Sequence, residues 1–403
     1  MSDLLMLQQV LGIPELHLTG CDVKEKTVEI LAEVLLKRGV CPDCGEVSER
    51  LHQYLERKLR HLPIFGRACW LKVETRQLLC EGCGRTFSPP LDFVLPEEHH
   101  VTWGYAEDLF RRVKGSSIKA VAEAEGIPEK TLEGIYFTVA RLREARTSLE
   151  PTSFIGIDEV ALHKGHGNFK AVIYDLKHGK VLKLLENRDK ATLVAWFRAQ
   201  PKTWLDGIRI VAIDMWEAYR QVVKEVFGDQ VDLVADKFHV IKLLGERVTE
   251  CRRKIQRAAS EAVKEKLKGI RWAILKQPQK LTQAEKKALR EALRHSSELR
   301  EMYRLKQDFV RLYRFTRRGD AVRRLRSWIK RVRSTKHTHL HTFADTLERW
   351  WDEVVAYFRV KATNAGGEGL NTVIKLVNRR GFGFRNHEHF ELRVKHETGG
   401  LAA

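Results

Sequence analysis

The spacing of apolar residues changes character along the chain. Residues 68–79 alternate like a strand. From Val101 to Arg146 the period turns helical: it predicts a helix over 105–113, a break at Gly115-Ser116-Ser117, and two short helices. Ile118, Val121 and Ala122 share one helical face, Gly126-Ile127-Pro128 makes a turn, and Leu132, Ile135, Tyr136 and Val139 mark the next helix. Pro128 suits the first turn of that helix. From Phe154 short β-branched runs take over. They predict strands over 154–162, 169–176 and 180–186, a helix over 190–200, a strand over 208–213, a helix over 216–227 and a short strand over 231–235. Three antiparallel strands followed by alternating helix and strand is the order of an RNase H-like fold.

Length adds that 403 residues suffice for several cores, and a hydrophobic fraction of 43% excludes a disordered chain. No apolar run is long enough to span a bilayer. Met1–Gly12 lacks a basic segment and a cleavage site, so a cytoplasmic protein with no membrane partner is expected.

Charge changes the picture more. The net charge is +19, and residues 247–342 hold 29 Lys/Arg against 9 Asp/Glu. The rest of the chain is close to neutral. Such a block implies a polyanionic partner, most simply double-stranded DNA. A solvated helical face is the bland alternative, but Trp272, Tyr303, Phe309, Tyr313, Phe315 and Trp328 allow this block to fold as a basic helical insertion. Arg323 and Arg324 are its candidate DNA contacts. The helix pair at 117–139 has a helix-turn-helix pattern, with Lys130 and Thr131 as candidate contacts.

Four of the seven cysteines form two knuckles, Cys41-Pro42-Asp43-Cys44-Gly45 and Cys80-Glu81-Gly82-Cys83-Gly84. Each glycine permits the tight turn that points two thiolates at one ion. Matched knuckles predict one structural Zn²⁺ held by Cys41, Cys44, Cys80 and Cys83. A redox Cys-x-x-Cys needs no second copy. Cys21, Cys69 and Cys251 read as ordinary thiols.

The candidate chemistry lies in three acids on separate segments. Asp158 sits in Phe154-Ile155-Gly156-Ile157-Asp158-Glu159, Asp214 follows Ile210-Val211-Ala212-Ile213, and Glu368 opens a helix within Asn364–Asn371. A single Asp after an apolar run is usually a cap or turn residue. Two on the expected strands, with a distant Glu on a helix, point instead to a site for divalent ions. Asp236 and His239 read as auxiliary to that site, or as a cap with a packed histidine. Glu368, Asn371 and Lys375 share a helical face, so Asn371 is a further auxiliary candidate, and Lys375, Arg379 and Arg380 are candidate DNA contacts. His163-x-x-His166 lacks further ligands nearby and is not read as a metal site.

Together, Gly156-Ile157-Asp158-Glu159, Asp214-Met215-Trp216 with Tyr219, Asp236-Lys237-Phe238-His239-Val240, Asn364–Asn371 with Glu368, and Gly381-Phe382-Gly383-Phe384-Arg385-Asn386 resemble the DDE transposases of the ISL-three group of bacterial insertion sequences. The resemblance covers nearly the whole chain. It implies DNA cleavage at element ends and strand transfer, with Asp158, Asp214 and Glu368 as catalytic acids holding Mg²⁺ or Mn²⁺. It also implies terminal inverted repeats and target DNA as partners, handled by a homodimer. The expected architecture is multidomain α+β: a zinc-ribbon-like module (1–96), a helix-turn-helix (97–150), the first part of an RNase H-like core (151–246), a basic helical insertion (247–345) and the last part of the core with its acidic helix (346–403). A DNA-binding regulator and a structure-specific nuclease are the competing readings. The intact acids oppose the first, and two N-terminal DNA-binding modules oppose the second.

Overall fold

In the computed structural model, residues 3–97, 100–162 and 169–402 are described, and they fall into two compact units. The first unit holds residues 1–147, 377–397 and 401–403, and the second holds 148–376 and 398–400. His163 and His166 lie outside the described residues.

The first unit begins with helix α1 (Asp3–Leu11) and strands β1 (Leu16–Val23) and β2 (Thr27–Val34). Short strands β3 (Gly39–Val40) and β4 (Val47–Ser48) pair with each other. A long hairpin follows, β5 (Leu51–Ile64) and β6 (Arg67–Leu79), and β7 (Thr86–Phe87) pairs with the end of β6. The hairpin turn carries Phe65 and Gly66 at positive φ, as a tight hairpin requires. The order β1-β2-β6-β5 buries alternate residues of β6 (Cys69, Leu71, Val73) against Leu16, Leu18 and Ile30.

Three helices complete this part: α2 (Trp103–Val113), α3 (Ile118–Glu125) and α4 (Glu129–Arg146). Ser117 caps α3 by accepting from the Ala120 N–H at 3.1 Å, and Gly126 ends it at φ +66°. The turn therefore falls on Gly126-Ile127-Pro128. Leu132, Ile135, Tyr136 and Val139 are buried, while Glu129, Lys130 and Thr131 are exposed. The last helix, α17 (His387–Thr398), covers α4: His389 stacks on Phe137 at 3.6 Å, and Lys395 pairs with Glu144 at 2.6 Å.

The second unit is built on a sheet of β8 (Phe154–Ala161), β9 (Phe169–Asp175), β10 (Lys180–Leu184), β11 (Ile210–Ile213) and β12 (Asp232–Ala235). Its order is β10-β9-β8-β11-β12. β8 is antiparallel to β9 and parallel to β11, and β11 is parallel to β12. The crossovers run through α5 (Lys190–Arg198), α6 (Lys202–Leu205) and α7 (Glu217–Phe227). β8, β9 and β10 end one or two residues earlier than the apolar runs predict, and β11 and β12 start one or two residues later, because those runs continue into the turns.

After β12 comes α8 (Lys237–Ala258), followed by α9 (Glu261–Lys266), α10 (Arg271–Leu275), α11 (Gln283–His295), α12 (Ser297–Leu312), α13 (Arg318–Arg333) and α14 (Thr338–Arg349). α15 (Trp351–Val360) packs on β12, and α16 (Ala365–Arg380) follows. The helices after β12 are not an appendage. Ile274, Leu289, Phe309, Trp328 and Phe343 belong to one continuous core with Ile155, Ile213 and Val234 of the sheet. Arg220 ties the two parts by a bidentate ion pair to Glu353 over the Trp350 ring.

Candidate zinc centre and acidic site

The zinc candidate is assembled by two matching turns. The Cys41 N–H donates to the Glu46 carbonyl at 2.8 Å and the Gly45 N–H to the Cys41 carbonyl at 3.0 Å. The second knuckle repeats this, with Cys80 to Arg85 at 2.8 Å and Gly84 to Cys80 at 2.9 Å. Gly45 and Gly84 both have positive φ, at +77° and +74°. Arg85 pairs with Asp43 across the knuckles, and the Ser48 hydroxyl donates to the Leu79 carbonyl at 2.6 Å.

All four Sγ atoms lie within 4.8 Å of one another, with Cys41–Cys83 at 3.6 Å and Cys44–Cys80 at 3.4 Å. A tetrahedron with zinc–sulfur bonds of about 2.3 Å has edges of about 3.8 Å, so the four sulfurs fit one ion. Backbone N–H groups of Cys44 and Asp43 lower the Cys41 thiol to about 7, which favours the thiolate a metal needs.

The acidic site lies in the second unit. Asp158 is not at a strand end. It sits inside β8, paired with Val172 of β9, and is only 4% exposed. Asp214 follows β11 and Asp236 follows β12, so three neighbouring parallel strands present carboxylates at the same sheet edge. The Asp214 carboxylate is partly exposed, and Asp236 is buried. His239, on the first turn of α8, links them: Nδ1 is 3.2 Å from Asp236 and Nε2 is 3.7 Å from Asp214.

Asn364 and Asn371 bring α16 to this edge. The Asn364 N–H donates to Asp236 Oδ1 at 2.9 Å, and its side-chain amide donates to Asp158 Oδ2 at 3.3 Å. Asn371 donates to the same Oδ2 at 3.1 Å and accepts from the Tyr174 hydroxyl at 2.6 Å. Asn364 fits because two glycines make room: a Cβ on Gly156 or Gly367 would come within 2.6 or 2.4 Å of its Oδ1. That Oδ1 is buried without a hydrogen-bond partner. The Tyr219 hydroxyl donates to the Asp158 carbonyl at 3.3 Å, and Arg188 pairs with Glu159 while its guanidinium lies over Trp216.

Burial pushes Asp158 up to about 6, against the hydrogen bond from the Glu159 N–H, and the charges of Asp214 and Asp236 push the same way. Burial also raises Glu368, with help from Asp236, while His239 and Lys242 oppose the shift. Burial opposes protonation of His239, but its bond to Asp236 and the charges of Asp214 and Asp158 outweigh this and raise its pKa. Hard carboxylate oxygens of this kind suit Mg²⁺ or Mn²⁺. Among the described residues the three catalytic candidates do not form a tight ligand cluster; the four cysteines do. His239 and the two asparagine amides face these carboxylates.

The remaining sequence candidates are scattered. Lys375 and Arg379 are exposed, whereas Arg380 is half-buried and pairs with Glu397 at 3.4 Å. Arg323 and Arg324 are exposed on α13, with Arg323 paired to Asp320 one turn away. Sequence reasoning missed Asn364, Tyr174 and Arg188. Only Asn364 carried a signal, because an Asn before Ala-Gly-Gly-Glu can cross to the sheet where glycines clear its path.

The family is shown by comparison with known proteins. Residues 155–394 match the family described as transposase, and residues 37–83 match the zinc-finger of transposase IS204/IS1001/IS1096/IS1165. The chain belongs to the DDE transposases of the ISL-three group. It is similar to the transposase for insertion sequence element IS1001 of Bordetella parapertussis, 27% identical over 94% of this chain and 93% of that protein. It is also similar to the transposase for insertion sequence element IS1557 of Mycobacterium tuberculosis, 25% identical over 89% and 86% of the two chains. No helix among the described residues is long and apolar enough to cross a membrane.

Proposed function

We propose that the chain binds the terminal inverted repeats of an insertion sequence, cleaves the DNA there and joins the freed ends to target DNA, with Asp158, Asp214 and Glu368 as its catalytic acids. The observation that carries this is that Asn364 donates to both Asp158 and Asp236 while Asn371 donates to Asp158, which brings a segment more than 200 residues beyond Asp158 to its sheet edge. The strand order with three antiparallel and two parallel strands supports an RNase H-like core. The capped turn at Gly126 and the exposed start of α4 support a helix-turn-helix reading, with Lys130 and Thr131 toward DNA.

Asp158, Asp214 and Glu368 would hold two Mg²⁺ or Mn²⁺ ions. When bound, such a pair activates the attacking oxygen and stabilises the leaving oxygen. Asn371 and Asn364 orient Asp158 by donating to its Oδ2, which leaves Oδ1 with the Glu159 N–H. Asp236 anchors the start of α16, so Glu368 is delivered by a fixed backbone. His239 lies between Asp214 and Asp236 and is placed to give or take a proton at the reacting phosphate. Hydrolysis frees a 3′-hydroxyl, which then attacks target DNA, so no side-chain nucleophile is needed. Handling two ends together calls for a homodimer on DNA, and action on the chromosome places the protein in the cytoplasm.

The test is cleavage of a labelled duplex from the flanks of the chain's own gene, with Mg²⁺ and with Ca²⁺. Cuts at one defined position with Mg²⁺ alone are expected. Tight binding with no cutting when both ends are supplied would favour a DNA-binding regulator.

The face of α13 that carries Arg323 and Arg324 is proposed to contact DNA phosphates. Reversing both charges to Glu should weaken end binding and lower the slope of log affinity against log salt by roughly 2, since each phosphate contact contributes about 0.9. An unchanged slope would return this face to solvent.

A further inference from the structure

Phe382 is 94% exposed, and its φ is +51°. It stands just past α16, where the Phe382 N–H donates to the Arg379 carbonyl at 3.1 Å and the Gly383 N–H to the Asn378 carbonyl at 2.8 Å. This pairing is a left-handed helix cap, in which glycine normally fills the position Phe382 occupies. Glycines stand on both sides, yet the strained place carries a phenyl ring. Gly381 is needed where it is, because a Cβ there would meet the Phe384 ring at 2.6 Å. Phe384 in turn stacks on Phe390 at 5.1 Å. Phe384 thus pins the turn, and Phe382 is directed into water. Among the described residues no contact offsets the strain or the exposure of that ring.

The surroundings indicate what would. Arg379 and Arg385 stand three residues to either side in the chain, both exposed and without a carboxylate partner among the described residues. A cleft of about 480 Å³ beside Phe382 is lined by Lys119, Phe137, His389 and Arg393, and by Glu129 and Glu133. Aromatic walls suit a base face, cations suit phosphates, and carboxylates accept from exocyclic amino groups.

We propose that Phe382 stacks on a nucleobase displaced from the duplex, with the cleft receiving that base and Arg379 and Arg385 holding the adjoining phosphates. This rests on the reading that the chain binds the ends of its element.

The test uses the full chain without divalent metal and end duplexes in which one nucleotide at a time is left unpaired or made abasic. At one position, wild type is expected to bind the unpaired base about ten-fold tighter than the abasic duplex. Phe382→Ala should bind both equally, and Phe382→Trp should restore the preference. The proposal is overturned if Phe382→Ala keeps the preference, or if wild type binds end DNA but shows no preference at any position. It is also overturned if Phe382→Ala changes sedimentation without DNA while keeping the preference, which would assign the ring to a second copy of the chain. Wild type that binds no end duplex at all overturns the end-binding reading itself, and is told apart by failing before any substitution is made.

Discussion

Asp214→Ala is expected to abolish DNA cleavage and strand transfer while leaving binding to element ends within a few-fold of wild type. Asp214 is partly exposed, follows the short strand β11 and supports no core packing, so its removal should not unfold the sheet. It does accept from the Met215 N–H and lies 3.7 Å from His239. These contacts stabilise the turn modestly, by about 1 kcal/mol. The catalytic loss should be far larger, at least about 10³-fold, or roughly 4 kcal/mol of transition-state stabilisation. Glu368→Gln should behave in the same way, because it keeps the shape of the side chain and removes its charge. Gel-based cleavage and binding on the same duplex separate the two effects. Full cleavage by the Asp214 variant would remove it from the site.

Zinc loss should have the second large effect, on stability. Cys41 and Cys80 are buried, and the turns that hold them close the β3–β4 and β6–β7 pairs. Structural zinc contributes about 10–16 kcal/mol in isolated fingers, comparable to the whole stability of a typical domain. Cys80→Ser, or chelation, should therefore unfold the ribbon and remove one zinc ion per chain. Metal analysis with thermal melting checks this. A stable, metal-free wild-type protein with an unchanged melting profile would sink the assignment.

Much of this was legible along the chain because it rests on local rules. Two Cys-x-x-Cys-Gly runs encode their own turns, and the structure reproduces both with the same hydrogen bonds. Gly126-Ile127-Pro128 stops one helix and starts the next wherever it stands. Alternation and β-branching placed β8, β9, β11 and β12 within a few residues. The transposase family was legible too, because its motifs cluster around the acids.

Other features depended on contacts that no period reports. Asp158 read as lying on a strand, but only the fold shows that the strand is central and the carboxyl buried, and that burial raises its pKa against the hydrogen bond from the Glu159 N–H. Asn371 read as auxiliary to the acidic site from the helical face it shares with Glu368; only the fold shows that it sits between Tyr174 and Asp158. Arg380 read as a candidate DNA contact, and its pairing with Glu397 of the following helix was not legible in the sequence.

The sequence by itself determined the zinc knuckles, the helix and strand periods and the basic block, and it singled out the three acids as candidates. Each of these follows from residue type and spacing over a few turns. Only the tertiary structure decided that the helices after β12 share one core with the sheet, and that Asn364 crosses between Gly156 and Gly367 to reach Asp158. It also decided that Phe384 is tucked in while Phe382 is not. The physical reason is the same throughout. Burial and hydrogen-bond partners between segments 100–200 residues apart are set by packing, and packing leaves no local pattern to read.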